Sequence, residues 1–155
     1  MSNIFNPDFQ DFLNAFNNND VDYILLGGYA VILHGYSRTT GDMDIFVKKT
    51  KKNYQKIVRA FSEFGMPTFD MTEDNFLKNK NVDVFSFGSP PVSIDIITSV
   101  KDMIFDDAFS NSTIHQVENL SIRVIHINDL IRQKKSVNRP KDINDIQHLK
   151  GLEDK

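Results

Sequence analysis

The sequence predicts an α/β (α+β) fold in a single domain, 1–155, and three observations predict it. Helical and strand periodicities alternate through the front half of the chain. Two strand segments in the middle are joined by too short a connection to be anything but antiparallel neighbours, and the tail offers two more helices with acceptable starts. At 155 residues the chain can bury its own core, and 40% apolar residues, including 13 Phe, supply the material.

Asn6-Pro7 reads as a helix start, with Asn as cap and Pro in the first turn; Phe9, Phe12, Leu13 and Phe16 follow at helical spacing to about Asn17. Tyr23 to Leu26 is a short apolar run ending in Gly27-Gly28, the pattern of a buried strand entering a turn. Tyr29 to Leu33 opens a short helix closed by Gly35. Asp42 to Val47 begins by alternating and becomes apolar, as a strand does whose first residues emerge at an edge. From Thr50, the residues Tyr54, Ile57, Val58, Phe61 and Phe64 keep the helical period until Gly65-Met66-Pro67 stops it.

Val82 to Phe87 and Val92 to Thr98 are the antiparallel pair, joined by Gly88-Ser89-Pro90-Pro91. Ile114 to Val117 and Ser121 to Ile125 form a further hairpin or strand pair around Glu118-Asn119. Helices from Asn128 to about Val137 and from Pro140 to about Leu149 complete the chain, with only the last few residues frayed. A core unit thus covers about 20–98, and the strand pair and helices about 99–151.

Composition removes several classes of chemistry. With no Cys there are no disulfides, thiolate metal sites or cysteine nucleophiles, and any metal must sit on oxygen or imidazole. The absence of Cys, of a leader-like start and of any run near the roughly 20 apolar residues of a membrane span leads to the expectation of a cytoplasmic protein with no membrane partner. Net charge is -3, yet basic residues cluster at Lys48, Lys49, Lys51, Lys52, Lys56 and Arg59, and again at Arg132, Lys134, Lys135, Arg139 and Lys141. Each cluster reads as a solvated helix face or as an anion-binding surface.

The chemistry concentrates between Gly27 and Val47. Asp42 and Asp44 lie two apart on a strand, so both side chains share a face and can share hard cations. Gly27-Gly28, between strand and helix, lets backbone amides approach a phosphate. Asp95 stands alone in the apolar run Ile94-Asp95-Ile96-Ile97, as a third metal ligand, a general base, or an edge residue facing water. His34, His115, His126 and His148 show no ligand-like spacing, although His34 lies within the motif segment.

The run Gly-Gly-Tyr-Ala...His-Gly-Tyr-x-Arg-x-Thr-x-Asp-x-Asp, followed by a lone Asp in a later strand, resembles the nucleotidyltransferase superfamily. That superfamily includes DNA polymerase beta, the CCA-adding enzymes, lincosamide nucleotidyltransferases and AbiEii-type toxins. The form looks most like small bacterial AbiEii-type and CCA-adding-like members and covers about Leu25 to Thr98. Many members carry Gly-Ser where this chain has Gly27-Gly28, so a hydroxyl contact to phosphate is absent here unless Ser37 or a Thr supplies it. The tail segment with Leu130-Ile131, Lys134, Arg139, Lys141 and Asp142 is similar to the C-terminal segment of small relatives.

The resemblance implies the minimal nucleotidyltransferase fold, a mixed central β-sheet flanked by helices with C-terminal helices. It implies two Mg2+ ions, or Mn2+, on Asp42, Asp44 and Asp95, and triphosphate contacts from Gly27, Gly28, Arg38, Lys134 and Arg139. Arg38 has a structural alternative, holding the loop before Asp42, and Asp142 is expected to pair with Arg139 or Lys134 to fix the turn between the last helices. The implied activity is transfer of a nucleoside monophosphate from an NTP to a hydroxyl on RNA, on a protein as in toxin–antitoxin systems, or on a small molecule, with release of pyrophosphate. The competing reading is a nucleotide-binding or partner-binding module that lacks turnover.

Overall fold

The computed structural model describes residues 7–89 and 92–153. Helix α1 (Pro7–Asn18) buries Phe9, Phe12, Leu13 and Phe16 on one stripe, as their spacing requires. The three-residue strand β1 (Tyr23–Leu25) is buried throughout and leads into α2 (Gly27–Leu33). Strand β2 (Asp42–Val47) follows, then α3 (Lys51–Phe64). Thr50 caps α3 by accepting from the Asn53 amide, and Gly65 ends it in the left-handed conformation at φ 88°.

The chain continues through α4 (Glu73–Leu77), β3 (Val84–Ser89), β4 (Val92–Ile97), α5 (Phe105–Asn111), β5 (Thr113–Val117) and β6 (Leu120–Val124). Helices α6 (Ile127–Val137) and α7 (Pro140–Glu153) end it. One six-stranded sheet runs in the order β3-β4-β2-β1-β6-β5. It is mixed: β2 pairs with β4 and β1 with β6 in parallel, and the other neighbours are antiparallel.

Phe12 of α1 meets Phe61 and Phe64 of α3 edge-on, and Phe61 meets Phe87 of β3, so α1 and α3 cover one face of the sheet with an aromatic layer. Helix α2 packs on β2 and against α6, which in turn carries α7. Full burial of each Phe is worth about 1.5–3 kcal/mol, so this layer is a main source of stability. No helix among the described residues is long and apolar enough to cross a membrane.

Several expectations need correction. Helix α2 begins at Gly27 rather than Tyr29, because Gly27 takes φ 65° and turns the chain at once, bringing the Ala30 amide toward the Leu26 carbonyl. Strand β3 starts two residues later than Val82 and takes in Gly88 and Ser89, which were assigned to the joint. Pro90-Pro91, the Asn6 cap and the last two residues lie outside the described residues. Val58 is 37% exposed rather than core, since Ile57 and Phe61 already fill the stripe. Helix α7 extends past Leu149 to Glu153.

Candidate active site

Strand alternation divides the sheet into a core face and a polar face. Met43, Ile45, Ile94, Ile96, Phe85 and Phe87 are buried. Their neighbours point the other way, and register aligns them into rows: Ser86, Asp95 and Asp44 stand abreast on β3, β4 and β2, with Ser93 beside Asp42 in the next row. Strand β4 is therefore interior, which sets aside the edge reading of Asp95. The three carboxylates line one cavity of about 170 Å3.

Asp44 is the most perturbed of these acids. Burial first, then the negative charges of Asp95 and Asp42, raise its pKa from 3.8 to about 6, and Lys134 offsets part of this. The outer pair take hydroxyl donors: Ser86 Oγ donates to Asp95 Oδ1 at 2.7 Å, and Ser93 Oγ donates to Asp42 Oδ1 in a short bond. Among the described residues no three His, Asp or Glu side chains are gathered tightly enough to hold a metal ion as they stand. The donor set still fits one. It is all hard oxygen, and its central acid is held above its ordinary pKa by burial and by the negative charges of Asp95 and Asp42, which a divalent cation would neutralise.

The two glycines press against this row. A Cβ on Gly27 would lie 2.3 Å from Asp44 Oδ2, and one on Gly28 would lie 2.5 Å from Thr40 Oγ1. Side chains there would displace the acid and the hydroxyl. Thr40 Oγ1 thus occupies the space that a side chain at position 28 would need, whereas Ser37 lines neither of the cavities at the site.

The opposite wall is basic and is organised by α7. Lys134 is 3% exposed, its Nζ 3.3 Å from Asp142 Oδ1 and 3.1 Å from Asp145 Oδ2. Asp145 also pairs with Arg38, whose Nη2 donates to Oδ2 at 3.1 Å while Nε lies 3.0 Å from Oδ1 without hydrogen-bond geometry. Arg38 Nη1 donates to the Thr39 carbonyl, so this side chain both lines the cavity and ties the loop before Asp42 to α7. Arg139 Nε and backbone amide donate to Asp142 Oδ2 at 2.7 and 3.0 Å. Burial would raise the Asp142 pKa, but bonds from Arg139 and the nearby Lys134 hold it below the usual carboxylate value. Three cations therefore meet two acids, and the exposed Lys141 adds a further positive charge to the cavity.

A second cavity of about 230 Å3 adjoins the first and shares Gly27, Asp44, Lys134 and Arg139 with it. All eight residues singled out for metal or nucleotide line the acidic cavity: Gly27, Gly28, Arg38, Asp42, Asp44, Asp95, Lys134 and Arg139. Sequence reasoning did not single out Ser86 or Ser93, allowed a Thr as hydroxyl donor without naming Thr40, and gave Asp145 of the tail segment no role of its own. Signals existed: Ser93 sits two before Asp95, on the same strand face, and Asp145 is one helical turn beyond Asp142.

The histidines are structural. His34 Nε2 bonds the Ile125 carbonyl at 2.7 Å, His126 caps α6, and His148 stacks on Tyr36. The first basic cluster lines neither cavity at the site, and its Lys48 pairs with Asp106. The second divides: Lys134, Arg139 and Lys141 face the acids, while Arg132 pairs with Asp129.

Residues 8–152 match the family model described as nucleotidyltransferase of unknown function (DUF6036). No curated protein matches the chain in sequence. The fold is similar to that of a lincosamide antibiotic adenylyltransferase with lincomycin bound, at 18% identity, 97% coverage of this chain, 99% of that one and a TM-score of 0.64. A nucleotidyltransferase candidate from Thermotoga maritima is similar at 14% identity, covering 95% of this chain and 91% of its own, with a TM-score of 0.61. ANT(2")-Ia in complex with adenylyl-2"-tobramycin follows at 14% identity, 91% and 84% coverage and a TM-score of 0.53. At these identities the likeness is one of fold, and the mixed sheet with its flanking helices is the nucleotidyltransferase fold.

Proposed function

This chain belongs to the family of nucleotidyltransferases of unknown function, and from that premise we propose that it transfers a nucleoside monophosphate from an NTP to a hydroxyl acceptor with the help of Mg2+. The observation that carries the proposal is the alignment of Asp44 with Asp95 across parallel strands, with Asp42 beside them, facing a basic wall in one cavity. Acids alone would repel a triphosphate, and cations alone would bind it without chemistry. Both together suit a polyanion that arrives with a divalent metal.

Asp42 and Asp44 would hold Mg2+, with Asp95 completing the set. When bound, the metal would neutralise charge on the phosphate and polarise the attacking oxygen. Arg38, Lys134, Arg139 and the backbone at Gly27-Gly28 would bind and orient the triphosphate, their geometry fixed beforehand by Asp142 and Asp145. Asp95, held by Ser86, would take the proton of the acceptor hydroxyl. The acceptor oxygen forms a bond to the α-phosphorus, the bond to pyrophosphate breaks, and pyrophosphate leaves along the basic wall.

The test separates binding from transfer. Asp95→Asn should keep most of the stabilisation that NTP and Mg2+ give the wild type in a thermal melt, while transfer of labelled monophosphate stops. Equal loss of both would assign Asp95 to binding instead.

A further inference from the structure

We propose that the second cavity receives the nucleobase of the donor, read by Gln133 and Ser136; this rests on the nucleotidyl transfer proposed above. A nucleoside triphosphate has two chemically distinct ends, and the two cavities divide in the same way. They meet at Asp44, Lys134 and Arg139, where the α-phosphate would lie. One end sets Arg38, Lys134, Arg139 and Lys141 against Asp42, Asp44 and Asp95. Beyond the shared groups, the other mixes apolar walls, Ile97, Val100 and Val137, with the uncharged polar side chains of Ser99, Gln133 and Ser136, and Lys101 is its one further charge among the lining residues.

Those polar groups are available to a ligand. Ser136 Oγ is buried without a hydrogen-bond partner among the described residues, a condition that proteins rarely tolerate. Neither Gln133 nor Ser99 makes a side-chain hydrogen bond among the described residues. An amide and a hydroxyl offer donors and acceptors together, which complements the edge of a base. Val137, 46% exposed at the rim, and Ile97 opposite offer apolar surface to the ring.

Size and charge argue against the acceptor as occupant. The volume, about 230 Å3, falls below the ~300 Å3 at the lower end of pockets that enclose drug-sized ligands. The cavity contains no carboxylate besides Asp44, so a polycationic acceptor would find no partner of its own there.

Equilibrium binding of each of the four NTPs, and of inorganic tripolyphosphate, is measured with Mg2+ for wild type, Gln133→Met and Ser136→Ala. Met keeps the length and helix preference of Gln without its amide. The wild type should rank the NTPs unequally, each variant should weaken the best one by about 5- to 10-fold, and tripolyphosphate should bind all three proteins alike. That last result also shows the variants to be folded. Unchanged NTP affinities in both variants would overturn the assignment while leaving nucleotidyl transfer intact. Failure of the wild type to bind any NTP would overturn both.

Discussion

Replacing Asp44 by Asn should make the protein more stable at neutral pH while removing its binding of NTP with Mg2+. In the unfolded chain this carboxyl titrates near 3.8, and in the folded protein at about 6. Between those values the folded state holds a proton that the unfolded state has lost, so stability falls as pH rises through the window. The penalty is absent below pH 3.8 and fully present above pH 6. At about 1.36 kcal/mol per pH unit, the difference amounts to about 3 kcal/mol at most. Asn removes the charge, keeps the shape, and can donate to Asp95. For a chain of this size a gain of that order corresponds to about 5–10 °C in melting temperature. Urea unfolding of wild type and Asp44→Asn from pH 4.5 to 8, with chelator present, measures it. The reasoning fails if the variant is no more stable than wild type at pH 7–8, or if the gap between them does not narrow on acidification.

Asp145→Ala should destabilise by about 3 kcal/mol, the lower end for breaking a buried ion pair. Lys134 keeps Asp142, and Arg38, 23% exposed, can turn to water; Asp145→Asn should lose less, and chemical denaturation of the pair decides. Gly27→Ala should weaken NTP binding at least about tenfold and lower stability by about 1–2 kcal/mol for its left-handed backbone. Gly65→Ala is the control, because it carries the same kind of backbone strain with nothing within 4 Å of the added Cβ. If it weakens NTP binding equally, the contact at Asp44 is not the cause.

Much of the fold was legible because its elements obey local rules. Phe9, Phe12, Leu13 and Phe16 specify α1, and Thr50 with Gly65 bounds α3. Helices α4 and α5 were not, because they are short and owe their formation to tertiary packing of Phe76 and Ala108. Asp42, Asp44 and Asp95 could be singled out because acids in strands are conspicuous. The rows that join them were hidden, since register between distant strands fixes Ser86 beside Asp95. Asp145 escaped for a similar reason: only folding brings α7 against Arg38, 107 residues away in sequence.

The central claim is best tested by incubating the protein with α-phosphate-labelled NTPs and a cell extract, with Mg2+ and with chelator. The account predicts a labelled RNA, protein or small molecule with Mg2+ only, and none with Asp42→Asn or Asp44→Asn. Labelling that persists in chelator or in those variants, or no labelling together with no NTP binding by the wild type, would contradict it.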